Sequence, residues 1–336
     1  MSHPITTFEI GSLKKPQWLV DFLRDPRQPR EAKERARDDA AYLNLRMLEQ
    51  VGLDQVYDGE ARRVEMYEYA VRNIEGFEFT GRVRSWDNKY YRKARCVGEI
   101  KYKTPYHLRE FLFLKKHGTK PLKVPVTGPY TLADWSYNEF YPTKEDFVLA
   151  IARSVIRPLL RDLVEAGAEF IQLDEPAATT HPEEMALFAE AFNESVKGIP
   201  GNTGVHICYS GDNYQSLFPH ALEMKTSFFA LEFANRDTWE AGISREARPG
   251  YSSLHSFKEY GGKFGVGIGL IDVHRDDVEP AELIRDRIAY AVKVIGDPSR
   301  VLASPDCGLR TRSREISFAK LRSLVEGAKL ATHDLV

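Results

Sequence analysis

Cysteine is scarce: three residues in 336, at Cys96, Cys208 and Cys307. They lie too far apart to form a disulfide framework, which suits a reducing cytoplasm and leaves the thiols free for metal or chemistry. No apolar run approaches the roughly 18 residues of a membrane span. The start, MSHPITTFEIGS, lacks a basic segment followed by an apolar one, so no secretion signal is expected. Charge of one sign is also lacking. Lys and Arg total 47 against 49 Asp and Glu, a formal net charge of −2, which gives no reason to expect a nucleic acid or an anionic membrane as partner. The basic stretch 84–95 reads more simply as part of a solvated hairpin. A glycine-rich GxGxxG in strand–helix context is missing too. The glycines of GVGIGLID lie within a strand, so a nucleotide site is not indicated.

What is present is alternation. Eight strand signals run in order: TFEIGS (7–12), QVYDGE (55–60), PLKVPVTGP (121–129), EFIQLDEP (169–176), GVHICYS (204–210), SFFALEF (227–233), FGVGIGLID (264–272) and RVLASPDCG (300–308). Helical stretches separate them. Residues 31–51 carry apolar positions at helical spacing. Thr143 with Asp146 looks like a capping box for a helix that runs to about Ala166, where Gly167 stops it. Further helices are expected near Pro182, after Pro280 and from about Ser313 to Leu330. Residues 14–30 read as a loop or short helices, 77–101 as an inserted β-hairpin and 236–262 as irregular. The pattern predicts one α/β domain over 1–336, a (β/α)₈ TIM barrel. An open doubly wound sheet would give the same local signals. However, Glu60, Asp174, Glu232, Asp272 and Cys307 all fall at C-terminal strand ends, and a barrel gathers those ends at one mouth.

His206 and Cys208 stand two apart on a predicted strand, so they share a face. Imidazole and thiolate together are zinc chemistry. Cys307 offers a third ligand and Glu232 a natural fourth. Each alone also suits packing or a surface acid. Together they describe an electron-rich zinc of formal charge −1, suited to holding a thiolate rather than activating water.

FEIGS (8–12), GLDQVYDGEARRVEM (52–66), RCV (95–97), VTGPYTLADWS (126–136), FIQLDEPA (170–177), HICYS (206–210), LEFANRD (231–237), IDVH (271–274) and SPDCGLRTR (304–312) follow one another along nearly the whole chain. In that order they resemble the cobalamin-independent methionine synthase family, specifically its C-terminal catalytic barrel. The resemblance implies that His206, Cys208, Glu232 and Cys307 bind Zn²⁺, which holds homocysteine as a thiolate for methylation. It implies that Ile10 and Ser12 contact the amino acid's carboxylate, and that Glu60 and Asp174 hold its ammonium group. His274 would orient or relay a proton beside the reacting centre, and Trp135 would lie against the methyl donor.

Two departures shape the expected donor. Folate-using members usually carry two barrels, and this chain has one. The family commonly continues DEPA with LRE, whose glutamate contacts the pterin, whereas Ala178, Thr179 and Thr180 stand there here. The expected donor is therefore methylcobalamin or a methylated corrinoid, free or bound to a carrier protein, with 5-methyltetrahydrofolate the alternative. Glu183, Glu184 or Asp306 could supply the missing acid. Coenzyme M-type thiol transfer, or a zinc-binding barrel without activity, are the other readings. The acids Glu60 and Asp174 speak against coenzyme M, whose end is an anionic sulfonate.

Overall fold

The computed structural model describes residues 5–84, 90–208 and 214–334. In chain order its helices and strands are α1 (Gln17–Arg24), α2 (Arg30–Val51), α3 (Met66–Val71), β1 (Ile74–Arg84), β2 (Tyr90–Tyr102), α4 (Leu108–His117), β3 (Lys123–Thr127), α5 (Pro129–Asp134), β4 (Tyr137–Asn138), α6 (Lys144–Ile151), α7 (Arg157–Glu165), β5 (Phe170–Asp174), α8 (Met185–Val196), β6 (Asn202–Ile207), β7 (Phe228–Leu231), α9 (Leu254–Glu259), β8 (Gly265–Gly269), α10 (Ala281–Ile295), β9 (Val301–Ser304) and α11 (Arg314–Asp334). Contacts divide the chain into two compact units. The first is Met1–Arg62, Phe113–Lys123 and Phe228–Val336; the second is Arg63–Leu112 and Val124–Ser227.

In the first unit β7, β8 and β9 run parallel, with Leu231 beside Ile268 and Gly269 beside Ser304. The expected strands at 7–12 and 55–60 shrink to single parallel bridges, Thr7 to Ala303, Phe8 to Gln55 and Val56 to Leu122. Local geometry ends the second. Gly59 and Glu60 both take positive φ, at 61° and 56°, which breaks extended backbone just past Val56. Phe8, Ile10, Phe228 and Ala230 bury together with Leu302 against them, so these short segments still carry core.

In the second unit β5 and β6 pair in parallel, Phe170 with Asn202 through Asp174 with His206. β1 and β2 form the expected antiparallel hairpin, slightly longer than 77–101; residues 85–89 of it lie outside the described residues. The Thr143 hydroxyl caps α6 by accepting the Asp146 N–H at 3.0 Å. The helix expected from there to Ala166 is interrupted, because Ala152–Ile156 form a π-helical turn. Pro158 has no N–H to give Ser154, and the wider turn, with the Arg157 N–H on the Ala152 carbonyl, absorbs that loss. Among the described residues no helix is long and apolar enough to cross a membrane.

Candidate active site

The second unit carries the predicted histidine and its neighbours. β6 ends at Ile207, so His206 lies on the strand and Cys208 is the first residue past it; Tyr209 and Ser210 of the expected strand lie outside the described residues. His206 is buried and Cys208 half-buried. Their ligand atoms come within 4.8 Å of one another. Asp174, the last residue of β5, stands in register beside His206. It is 6 % exposed, and its Oδ1 accepts from the Gln172 side-chain amide at 2.6 Å. The soft ligand pair and the acid predicted for the ammonium group are therefore neighbours.

Glu175 follows. It accepts the Tyr130 N–H at 3.0 Å and the Thr131 N–H at 2.7 Å, closing the N-terminus of α5. Burial pushes its carboxyl up to about 7, against the pull of those hydrogen bonds. Trp135 ends α5 half-buried, its ring centroid 6.0 Å from Tyr91 on β2 and 6.2 Å from Tyr67.

The first unit carries the remaining predicted residues. Ile10 is buried, and its carbonyl accepts from the buried Lys123 ammonium at 3.0 Å. Ser12 is half-buried and lies so close to Gly308 that a Cβ there would fall 2.3 Å from the Ser12 hydroxyl. Glu60 is half-buried at its left-handed φ, held by its N–H on Asp58 Oδ1 at 2.9 Å. A non-glycine residue kept in that region costs backbone energy, which fits a functional position. His274 is exposed in the turn after β8, with its N–H on Asp272 Oδ1 at 2.8 Å.

Glu232 follows β7 directly and is 4 % exposed, with Arg236 Nη1 at 3.0 Å from its Oε1. Cys307 is a half-buried free thiol. Beside it, Asp306 accepts three backbone N–H groups, from Phe233 (2.8 Å), Ala234 (2.9 Å) and Asn235 (2.7 Å). Burial, then the charge of Glu232, push the Asp306 carboxyl up to about 8, while the backbone donors pull it down. Gly269 makes room for it, since a Cβ there would fall 2.0 Å from Asp306 Oδ1. Asp306 is thus a loop anchor, a role that its place in SPDCG did not disclose. Glu184, another acid considered for the donor, is taken up by Lys144 at 2.5 Å and by the Tyr130 hydroxyl.

Among the described residues His206, Cys208 and Cys307 form a group with the donor chemistry that zinc takes, and Glu232, expected as the fourth ligand, stands outside it. The family model described as the catalytic domain of cobalamin-independent synthase matches residues 6–330. A methionine synthase of Thermoplasma acidophilum is 44 % identical over 336 residues, covering 96 % of each chain. One from Pyrococcus furiosus is 41 % identical, covering 98 % of this chain and 94 % of its own. Among solved structures, a B12-independent methionine synthase from Shewanella sp. W3-18-1, in complex with selenomethionine, matches with a TM-score of 0.85 and 25 % identity over 99 % of each chain. The expected class, an α/β TIM barrel with an inserted hairpin, holds.

The donor expectation does not. A cobalamin-independent family overturns methylcobalamin or a methylated corrinoid as donor, and the corrinoid carrier protein with it. That expectation leaned on the single barrel and on Ala178–Thr180, a short 3₁₀ turn in which Ala178 and Thr179 are buried. Loss of one acidic side chain from such a turn removes one contact and does not select a donor class. Matched from residue 6 to residue 330, the chain belongs to the cobalamin-independent synthase family, as its catalytic domain, and is a methyltransferase of methionine biosynthesis.

Proposed function

We propose that this single catalytic domain, residues 1–336, transfers a methyl group from a 5-methyltetrahydrofolate-type donor to the sulfur of homocysteine, with zinc held by His206, Cys208, Glu232 and Cys307. The observation that carries this reading is the pairing of Asp174 with His206, and of His206 with Cys208. A thiol-binding ligand pair and an ammonium-binding acid stand side by side, which is the pairing an amino-acid thiol requires. His206, Cys208 and Cys307 have the donor chemistry that zinc takes. When bound, zinc would lower the homocysteine thiol from its free value of about 8.5, so that the sulfur reacts as thiolate.

The chain's own groups do the rest. Glu60 and Asp174 take the ammonium, while the Ile10 backbone and the Ser12 hydroxyl take the carboxylate, by charge-assisted hydrogen bonds. Trp135, with the Tyr91 and Tyr67 rings near it, supports a flat aromatic donor such as a pterin. The sulfur's electron pair forms the new S–CH₃ bond. The nitrogen–methyl bond breaks, the nitrogen keeps its pair and takes a proton, and His274 is the residue assigned to relay it.

Purified protein should carry stoichiometric zinc and form methionine from homocysteine and 5-methyltetrahydrofolate. Cys307→Ser should weaken metal binding and remove most of the activity. Full zinc content and full activity in C307S would show that the ligand set is wrong.

A further inference from the structure

Glu232 does not stand alone at the end of β7. The Arg236 guanidinium reaches back to it twice, with Nη1 3.0 Å from Glu232 Oε1 and Nη2 donating to the Glu232 carbonyl at 2.6 Å. The short 3₁₀ turn Ala234–Arg236 brings the arginine round. That turn is fixed by Asp306 through the N–H groups of Phe233, Ala234 and Asn235. The Phe233 ring also stacks on Tyr251, with centroids 5.2 Å apart at 19°. Arg236 is therefore held in place: its side chain is 22 % exposed, and its partner's is 5 % exposed.

A tetrahedral zinc has four positions, and in the proposed reading one imidazole, two thiolates and the Glu232 carboxylate would fill them; here Glu232 stands outside the group of His206, Cys208 and Cys307 and lies on Arg236. The sulfur of homocysteine needs a place among them. Of the four ligands, the carboxylate is the hardest donor against a borderline-soft ion. A cation already stands within hydrogen-bond distance of it. A carboxylate shared with a guanidinium gives less charge to a metal, and it keeps a charge-assisted partner when it lets the metal go. The energetic cost of releasing the ligand is then small, because the buried carboxylate is never left without a counter-ion.

We propose that Arg236 is a positioning residue which keeps Glu232 an exchangeable zinc ligand, holding its carboxylate when the substrate's sulfur takes that position. No covalent bond of the protein changes; one carboxylate passes between two cations. The inference rests on the zinc reading above and adds Arg236 to it. It also fixes a sign. An arginine that merely supported the loop would weaken zinc binding when removed, whereas a competitor for Glu232 strengthens it.

The test compares wild type, Arg236→Met and Arg236→Lys on purified protein. Zinc affinity is read by competition with a chromophoric chelator, apart from any turnover. Steady-state assays separate the homocysteine KM from kcat. R236M should bind zinc roughly tenfold more tightly, at the lower end of outer-shell effects on metal sites, while its KM for homocysteine rises by a similar factor. R236K, which keeps the charge without the fork, should fall between the two, and it carries the test alone if R236M does not fold. In cobalt-loaded protein, homocysteine should raise the thiolate-to-metal absorption of wild type and leave that of R236M nearly unchanged. Zinc binding that is equal or weaker in both variants overturns the role of Arg236 and leaves the zinc reading standing. A wild type that takes up no zinc overturns both.

Discussion

The turn carrying His274 is held from below by a buried ion pair, and breaking it on one side should be costly. Lys320 on α11 lies with its ammonium 2.8 Å from Glu279 Oε2, and both side chains are fully buried. The other carboxylate oxygen, Oε1, accepts the Asp272 N–H at 2.9 Å, and Asp272 in turn holds the His274 N–H. Lys320→Met removes the ammonium while nearly conserving volume. It leaves a buried carboxylate without its counter-ion, which costs about 3–5 kcal/mol. With an unfolding entropy of about 2.1 cal/mol/K per residue over the chain, the thermal midpoint should fall by roughly 4–7 °C. The double variant Lys320→Met/Glu279→Leu removes both charges and should regain most of that stability. It should not regain activity, because the Asp272 N–H then has no acceptor and the His274 turn loses its anchor. Calorimetry on the zinc-free proteins, with methionine formation on the loaded ones, separates the two effects. A K320M midpoint within about 1 °C of wild type, on the same conversion, would refute the premise that the pair is desolvated. Full activity in the stable double variant would refute its link to His274.

Two further outcomes follow from buried groups. Glu9 is 2 % exposed, and burial, partly offset by Lys123, raises its carboxyl from 4.5 to about 7. Because the folded-state value lies above the unfolded one, its contribution to stability is fully present below about pH 4.5 and is lost as pH rises through about 7. Glu9→Gln should flatten that slope and stabilise the protein at pH 8 by about 3 kcal/mol, at about 1.4 kcal/mol per unit; an unchanged slope in denaturation measured from pH 4 to 8 would count against it. Gly308→Ala would put a Cβ 2.3 Å from the Ser12 hydroxyl and 3.0 Å from its nitrogen. Displacing Ser12 should raise the homocysteine KM about tenfold, equivalent to about 1.4 kcal/mol, with kcat changing less, and an unaltered KM in steady-state assay would detach Ser12 from the carboxylate.

Strands were legible where an apolar run ends in a polar residue beside proline or glycine, as at LDEP and SPDCG. The hairpin was legible from its aromatic and β-branched residues between turn formers. The π-helical turn at Ala152–Ile156 was not, since helical periodicity runs through it and only Pro158 marks the change. The first two strands looked like the others in composition, and the left-handed backbone at Gly59 and Glu60 shortens the second. At the site, residue types and the two-residue spacing pointed to His206 and Cys208. Arg236 went unremarked because its pairing with Glu232 depends on a 3₁₀ turn, and no helical pattern advertises an i, i+4 contact there. Asp306 was noticed as an acid but not as an anchor, because the three N–H groups it collects come from residues some seventy positions earlier.

The same device recurs in three loops that bear a proposed site residue. Asp306, after β9, gathers the backbone that follows β7 and Glu232. Glu279, after β8, takes the Asp272 N–H in the turn that carries His274. Glu175, after β5, closes the α5 N-terminus, and Trp135 ends that helix. All three carboxylates are at most 1 % exposed. Loops are otherwise the least ordered parts of a chain, and ligand exchange demands atoms fixed to a fraction of an ångström. A carboxylate can collect two or three N–H groups at once, which a hydroxyl or amide side chain cannot do as strongly. Its burial carries an electrostatic cost, visible in the raised carboxyls of Asp306 and Glu175. That cost is tolerable only where order is worth more than stability, and these three loops are where the proposed chemistry places one of its ligands, its donor face and its proton relay.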